Sequence, residues 1–321
     1  MKAVRLKGIG QVTVEELSPP DLPAGWARIN VHSAGICGSD LHNFKTGKWI
    51  AHLPVTPGHE LFGVISEING ESDRFQLGMR VVGDSRVYCG HCAFCSSGAM
   101  NLCESLGFVG EVFDGGFAEQ VALPLSSMLA VPDAIPDEIA VLSEPLGVAL
   151  RVVNQLNPVE GDAVCVTGGG TIGGLTALLL HRLKKCQVAL IEPNAQRYQL
   201  IASVVPLATL EKYALGVEAS GFPAALSQLI AGITSGGRIA MVGIFHHTDG
   251  IDLNALVERE ITLVGCSVFQ HEQQAALDIM ALLADDLTRL IAPRVQLDDV
   301  PETYQALIAG KSAFLKTVIK I

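Results

Sequence analysis

A glycine-rich turn between a predicted strand and a predicted helix constrains the fold of this chain most strongly. Residues Asp162 to Thr167 are apolar almost throughout, as expected for a buried strand of a parallel sheet. Gly168-Gly-Gly170-Thr-Ile-Gly173 follows, and then an apolar helical pattern. Glycines at this spacing permit a tight turn, close approach of the backbone to a phosphate, and close packing of the helix on the strand. The pattern predicts a strand–turn–helix unit that binds a pyrophosphate at the helix N-terminus.

A carboxylate after the next strand indicates which dinucleotide is bound. The predicted strand Gln187 to Ile191 ends at Glu192, 19 positions after Gly173. An acidic residue there accepts a hydrogen bond from the ribose 2′-hydroxyl of NAD and would repel the 2′-phosphate of NADP. Because of Arg197, NADP stays open as a second choice of cofactor. For Arg197 itself we favour another role, either as a solvated helix residue or as a residue that stacks on adenine. We therefore predict NAD as the cofactor, with these contacts: Gly168, Gly170, Thr171, Ile172, Gly173, Glu192 and Arg197.

Four cysteines lie close together at the spacing C-x2-C-x2-C-x7-C. They are separated by small, turn-forming residues, and their positions are Cys89, Cys92, Cys95 and Cys103. Four thiolates on a short flexible loop can close a tetrahedron around one zinc ion and leave no position for water. A disulfide cluster is disfavoured because the N-terminus reads as a strand and not as a signal peptide. The loop predicts a structural zinc site that performs no chemistry itself.

Three further stretches carry metal-ligating or proton-transferring side chains. The first contains Cys37, Ser39, Asp40 and His42, the second is the pair His59 and Glu60, and the third places Glu144 among apolar residues. Burying a carboxylate is costly unless it is paired or bound to a metal. Cys37 and His59 with Glu144 or Glu60 would supply three mixed ligands and leave one position open, as in a catalytic zinc site. Each stretch taken alone also fits an ordinary core pair or a helix start.

Composition excludes several classes of function. The 321 residues suffice for two domains, and the core of Val, Ile, Leu and Ala suits an α/β protein. The formal net charge is -11, without a basic patch, which argues against nucleic acid as a partner. No apolar run is long enough to span a bilayer, so we expect no membrane association and a cytoplasmic location.

Several motifs in one order resemble the zinc-containing medium-chain dehydrogenase/reductase family, nearest to its polyol, sorbitol and threonine dehydrogenase branch. The resemblance covers nearly the whole chain. It rests on Gly35-Ile-Cys37-Gly-Ser39-Asp40-Leu-His42, Gly58-His59-Glu60-x-x-Gly63, the four-cysteine loop, Ser143-Glu144-Pro145-Leu146 and the glycine-rich turn.

The resemblance implies a GroES-like, β-rich catalytic domain, interrupted by a doubly wound Rossmann domain. The implied boundaries are residues 1–148 with 291–321 for the former and 149–290 for the latter. Only residues 205–215 separate the predicted helix 195–204 from the next strand at Gly216, too few for a full strand–helix unit. We therefore expect the Rossmann domain to lack about one β-α unit, its third strand, at the sheet edge.

The resemblance also implies the chemistry. It makes Cys37, His59, and Glu144 or Glu60 the ligands of a catalytic zinc, with Asp40 orienting His59. Ser39 and His42 resemble the relay that carries the proton of the alcohol to solvent. The expected reaction is hydride transfer between a secondary alcohol or polyol and NAD, with two zinc ions per chain.

Other interpretations remain open at this stage. A non-catalytic or regulatory zinc protein with impaired cofactor binding is one, supported by the shortened Rossmann domain. Reduction of aldehydes with NADPH is another, which Glu192 disfavours. A homodimer or homotetramer is expected from the resemblance alone, with residues 261–268 as the candidate interface. Phe44, Trp49 and Phe108 are candidate pocket residues or ordinary core.

Overall fold

The computed structural model describes residues 1–245 and 247–321. The strands among them are β1 Lys2–Gly8, β2 Gln11–Glu16, β3 Trp26–Ile36, β4 Glu60–Asn69, β5 Arg80–Gly83, β6 Arg86–Val87, β7 Gly107–Phe108, β8 Gln120–Pro124, β9 Met128–Ala130, β10 Ala163–Thr167, β11 Gln187–Ile191, β12 Tyr213–Glu218, β13 Ile233–Met241, β14 Thr262–Gly265, β15 Val295–Gln296 and β16 Thr317–Lys320.

The α-helices are α1 Gly38–Thr46, α2 Ala93–Ser96, α3 Asp137–Ala140, α4 Ser143–Leu156, α5 Thr171–Arg182, α6 Ala195–Ala202, α7 Pro223–Gly232, α8 Asn254–Glu258, α9 Glu272–Met280, α10 Ala284–Leu290 and α11 Val300–Ile308. Short 3-10 turns occur at Met100–Leu102, Leu125–Ser127, Ala281–Leu283 and Leu297–Asp299. None of the helices in the described part of the chain is long and apolar enough to cross a membrane.

Two compact units divide the chain. The first contains Met1–Glu144, Gln273–Ser312 and Lys316–Ile321, and the second contains Pro145–Glu272 and Ala313–Leu315. The predicted domain boundaries differ from these units in three short ranges, 145–148, 273–290 and 313–315. As a statement about family domains, those boundaries remain a prediction.

The first unit is built on a mostly antiparallel, seven-stranded sheet. Its order is β15-β16-β3-β4-β5-β9, and β8 also pairs with β3. The central strand β3 alternates in burial, with Ala27, Ile29 and Val31 inside, because successive side chains of a strand point to opposite faces. The end of β3 places Cys37 beside the start of β4 because the register aligns Gly35 with Glu60.

The second unit holds a parallel sheet of five strands in the order β11-β10-β12-β13-β14. Strands β10 and β12 are neighbours, with Thr167 aligned to Glu218. The second strand in sequence, β11, lies at one edge, where a third strand would be added in the six-strand order. The predicted loss of an edge unit is therefore confirmed. A single parallel bridge between Val188 and Leu207 stands in place of that strand.

Candidate functional site

Cys37 lies at the junction between strand β3 and helix α1. The helix begins at Gly38, and the Asp40 side chain in its first turn accepts a hydrogen bond from the Cys37 N–H at 2.8 Å. A carboxylate in the first turn of a helix satisfies a free backbone N–H and is favoured by the helix dipole. This capping fixes the backbone of Cys37, and the side chain of Asp40 is only 6% exposed.

Cys37, His59 and Glu60 converge in space. Their candidate ligand atoms, one from each residue, lie within 4.8 Å of one another. Gly58 delivers His59 from a turn at φ +101°, a conformation that residues other than glycine rarely adopt. Gly35 is required as well, because a Cβ there would meet the Glu60 carboxylate at 2.0 Å. The donor set of thiolate, imidazole and carboxylate suits a zinc ion.

The electrostatics around His59 favour a positive charge. Burial alone would lower the pKa of His59, but Asp40, Cys37 and Glu144 together raise it well above its usual value. Asp40 Oδ1 lies 3.8 Å from His59 Nδ1. Burial raises the pKa of Asp40, and the charge on His59 opposes that rise. A bound cation would be stabilised by the same acidic groups.

Glu144 lies near this group without joining it. Its Oε1 accepts a hydrogen bond from the Ser85 hydroxyl at 2.8 Å, and the residue is 5% exposed. Burial raises the pKa of Glu144 to about 7, with a further rise from Glu60 and an opposing effect of His59. The group of three ligand atoms contains Glu60 and does not contain Glu144.

Glu60 forms a buried ion pair that the sequence interpretation did not anticipate. Its Oε1 lies 2.6 Å from Lys316 Nζ, and the two side chains are 1% and 2% exposed. Lys316 also donates to the carbonyl of Ile36 at 3.1 Å. The only signal in the sequence was a lysine immediately before the predicted last strand, whose other residues are mostly apolar. One oxygen of Glu60 is thus held by a buried cation.

Ser39 and His42 both lie on α1, and both are partly exposed. The His42 ring stacks against Trp49 with centroids 4.4 Å apart. Of the other aromatic candidates, Phe108 lies 6.3 Å from the His59 ring, whereas Phe44 is core and packs edge-on against Tyr304. Phe108 is therefore near the ligand group, Trp49 lies against His42, and Phe44 is part of the core.

The four-cysteine loop gathers its thiols as predicted. Ligand atoms of Cys89, Cys92, Cys95 and Cys103 lie within 4.8 Å of one another. The backbone N–H of Cys95 donates to the Cys92 sulfur at 3.5 Å, and that of Cys89 donates to the Cys103 sulfur at 3.3 Å. Such donors stabilise thiolates. The N–H groups of Cys95 and Glu104 lower the pKa of Cys92 to about 6. The loop fits a closed zinc site.

The glycine-rich turn in the second unit has the geometry of a phosphate-binding loop. Gly168 has φ +88°, and a Cβ on Gly173 would lie 1.8 Å from the Gly168 carbonyl oxygen. Nothing lies within 4 Å of a Cβ at Gly170, so the space over that residue is open for a ligand. Thr171 and Ile172 form the first turn of α5, and the Thr171 hydroxyl donates to the Leu315 carbonyl. The turn fits a dinucleotide.

Glu192 faces this turn from the end of β11. Its Oε2 accepts the N–H of Gly169 at 2.6 Å, and its Oε1 accepts the N–H of Asn194 at 2.7 Å. Arg197 donates to the same Oε1 at 3.1 Å. Arg197 therefore forms an ion pair with Glu192, a role that the sequence interpretation had not considered. The Glu192 side chain is 3% exposed, and it links the second strand to the turn.

This chain is similar to known proteins in both sequence and fold. Residues 23–133 match the family described as Alcohol dehydrogenase GroES-like domain. L-threonine 3-dehydrogenase of Aeromonas salmonicida (strain A449) is 30% identical, and the match covers 97% of each chain. A zinc-binding dehydrogenase from Sinorhizobium meliloti 1021, solved with NADP bound, superposes with a TM-score of 0.92 at 27% identity, over 100% of this chain and 99% of that one.

A second solved structure is 2R,3R-butanediol dehydrogenase from Bacillus subtilis. It has a TM-score of 0.89 and 28% identity, and the match covers 100% of this chain and 99% of the other. These structural similarities, and the match to L-threonine 3-dehydrogenase over almost the whole length, assign the chain to a family. The chain belongs to the zinc-containing medium-chain dehydrogenase/reductase family of the alcohol dehydrogenase superfamily.

Proposed function

We propose that this protein is a zinc-dependent dehydrogenase that transfers a hydride between a secondary alcohol or polyol and NAD. The convergence of Cys37, His59 and Glu60 within 4.8 Å carries the proposal, since it supplies three different zinc donors in the first unit. L-threonine 3-dehydrogenase and 2R,3R-butanediol dehydrogenase, two relatives of this chain, are named for alcohol substrates. This supports a related substrate.

Cys37, His59 and Glu60 or Glu144 would hold the catalytic zinc, and the cysteine loop would hold a second, structural ion. When bound, the catalytic zinc would act as a Lewis acid on the substrate hydroxyl. Asp40 orients His59 through the contact at 3.8 Å. Lys316 holds one oxygen of Glu60, so Glu60 is a weaker donor than Cys37 or His59. Glu144 forms no such ion pair with any residue in 1–245 or 247–321, and it is the second candidate for the third ligand.

Ser39 and His42 are proposed to move the proton. Both are partly exposed on α1, one helical turn apart, so they lie on the same side of the helix. Ser39 would accept the proton from the substrate hydroxyl, and His42 would pass it to solvent. Stacking against Trp49 holds the His42 ring in one orientation.

The glycine-rich turn and Glu192 are proposed to bind NAD, which accepts the hydride. A buried carboxylate at the end of β11 would oppose the 2′-phosphate of NADP. The NADP bound to the Sinorhizobium meliloti structure is the observation that keeps NADP as the second candidate. Cytoplasmic location and assembly into a dimer or tetramer remain proposals. Strand β14, at one edge of the five-stranded sheet, lies within the candidate interface.

Metal content combined with a cofactor titration tests this function. We expect two zinc ions per chain by mass spectrometry, and NADH binding that is tighter than NADPH binding. One zinc ion and no binding of either cofactor would instead support a non-catalytic protein, because the shortened sheet would then have lost its cofactor site.

A further inference from the structure

A further buried carboxylate, Glu111, lies near the ligand group and takes no part in it. It lies in the turn after β7, and it is 7% exposed. Its Oε1 accepts a hydrogen bond from Asn43 Nδ2 at 2.7 Å, and Asn43 is 3% exposed. The two residues are 68 positions apart in sequence. Neither was a candidate from the sequence.

Three observations place the Asn43–Glu111 pair near the ligand group. Asn43 follows Asp40 by three residues on α1, so both lie on one face of the helix, and both are buried. Phe108, which begins the turn that carries Glu111, lies 6.3 Å from the His59 ring. The Glu111 N–H donates to the Phe108 carbonyl at 3.1 Å. Burial raises the pKa of the Glu111 carboxyl, while the hydrogen bond from Asn43 and the charge on His59 oppose that rise and the charge on Asp40 adds to it.

The position of Glu111 is fixed by a small network. Asn43 Oδ1 accepts the N–H of Trp49 at 3.2 Å, and the carbonyl of Glu111 accepts the N–H of Ala51 at 3.0 Å. The donor to the carboxylate is a neutral amide. In residues 1–245 and 247–321 no lysine, arginine or histidine forms an ion pair with it. The carboxylate is therefore held in place by a neutral donor, and the charges that act on it come from His59 and Asp40.

We infer that Glu111, held by Asn43, is a specificity-determining residue that admits substrates with a hydroxyl or ammonium donor near the reacting carbinol and excludes sugar acids and sugar phosphates. A fixed carboxylate accepts hydrogen bonds from such donors. A second negative charge beside it would be repelled. This inference rests on the proposed function and deepens it by assigning a residue that selects substrates by their charge.

The test compares xylitol with xylonate, a sugar acid of the same chain length, in the zinc-loaded enzyme with NAD. Wild type should have the higher kcat/KM on xylitol. Glu111→Gln keeps the shape and an acceptor for Asn43 but removes the charge. The ratio of kcat/KM on xylitol to kcat/KM on xylonate should therefore fall by at least about tenfold, mainly because the KM for xylonate falls. The exposed Glu71→Gln is the matched control and should keep the wild-type ratio. An unchanged ratio in Glu111→Gln would overturn the inference.

Binding measured by thermal shift in the presence of NADH separates this inference from the proposed function. Stronger stabilisation by xylitol than by xylonate, lost in Glu111→Gln, supports the role of Glu111 even in a protein that turns over neither compound. Equal stabilisation of wild type by both compounds overturns it. If Glu111→Gln does not fold, two other measurements test the role of Glu111. They are the activity of Glu111→Asp on xylonate and the salt dependence of the wild-type KM for xylonate. The charge-retaining variant should still exclude xylonate, and added salt should selectively lower the KM for xylonate. Failure of both would reject the role.

Discussion

Lys316 Nζ lies 2.6 Å from Glu60 Oε1, and this ion pair joins residues 256 positions apart beside the predicted catalytic zinc site. Both side chains are almost completely buried. Burial lowers the pKa of a lysine, but Glu60 and Cys37 more than compensate and raise the pKa of Lys316. The strand formed by the chain end, β16, is therefore fastened to the metal site by charge as well as by strand pairing.

Removal of the lysine should destabilise the protein. In the metal-free protein, Lys316→Met leaves Glu60 buried without a cation, which typically costs about 3–5 kcal/mol of unfolding free energy. Unfolding in denaturant would measure this loss of unfolding free energy, from the first transition that the protein shows. Adding Glu60→Gln should recover much of it, because the uncompensated charge is gone. A double variant no more stable than Lys316→Met would refute the role of the ion pair.

Loss of one cysteine from the loop should remove one metal ion. Cys92→Ser breaks the closed tetrahedron, so we expect one zinc ion fewer per chain and a lower Tm, since this loop has little apolar core of its own. The control is Cys266→Ser, which lies outside the loop and should keep the full zinc content. Retention of the wild-type Tm and zinc content in Cys92→Ser would refute the structural role.

Glu192 should set the preference between the two cofactors. Its oxygens accept the N–H groups of Gly169 and Asn194, so Glu192→Gln removes the charge and keeps much of the shape. We expect the NADH-to-NADPH affinity ratio to fall by about tenfold, equivalent to about 1.4 kcal/mol. Calorimetric titration would measure both constants, with the exposed Glu211→Gln as a control. A wild type that prefers NADPH would show that the role assigned to Glu192 is wrong.

Glu218, in the second unit, predicts a pH dependence of stability. It is fully buried at the end of β12, and burial raises its pKa, although Ser220 and Gly221 donate hydrogen bonds to it. Because the folded-state pKa is above the unfolded one, its contribution to stability is complete below the usual glutamate pKa and is lost as pH rises through the raised value. In urea unfolding, the stability of Glu218→Gln relative to that of wild type should therefore be higher at about pH 8 than at about pH 4. A difference that does not change with pH would contradict this.

Sequence predicted the features whose parts are neighbours along the chain. The cysteine loop and the glycine-rich turn each lie within a short segment, so their spacing determines which atoms can meet. The missing edge strand was predictable too, since residues 205–215, after the predicted helix, are too few for a strand and a crossover helix.

Sequence could not predict the features that depend on distant pairing. That Cys37 and His59 meet was an expectation from the resemblance, since strands β3 and β4 must first pair in the right register. Lys316 and the Asn43–Glu111 pair were missed because a single lysine or glutamate in the sequence does not show which distant residue it will contact. Side-chain burial, which makes these contacts important, is a result of the fold.

The most direct test of the whole account is alcohol-dependent formation of NADH by the zinc-loaded protein, followed by absorbance with xylitol and 2,3-butanediol. We predict turnover by wild type and a loss of at least about 100-fold in Cys37→Ser, because even an outer partner of a metal ligand is worth about 10–100-fold. The variant should keep its fold and its structural zinc. Full activity in Cys37→Ser, or no activity of wild type with NAD on any secondary alcohol or polyol, would contradict the account.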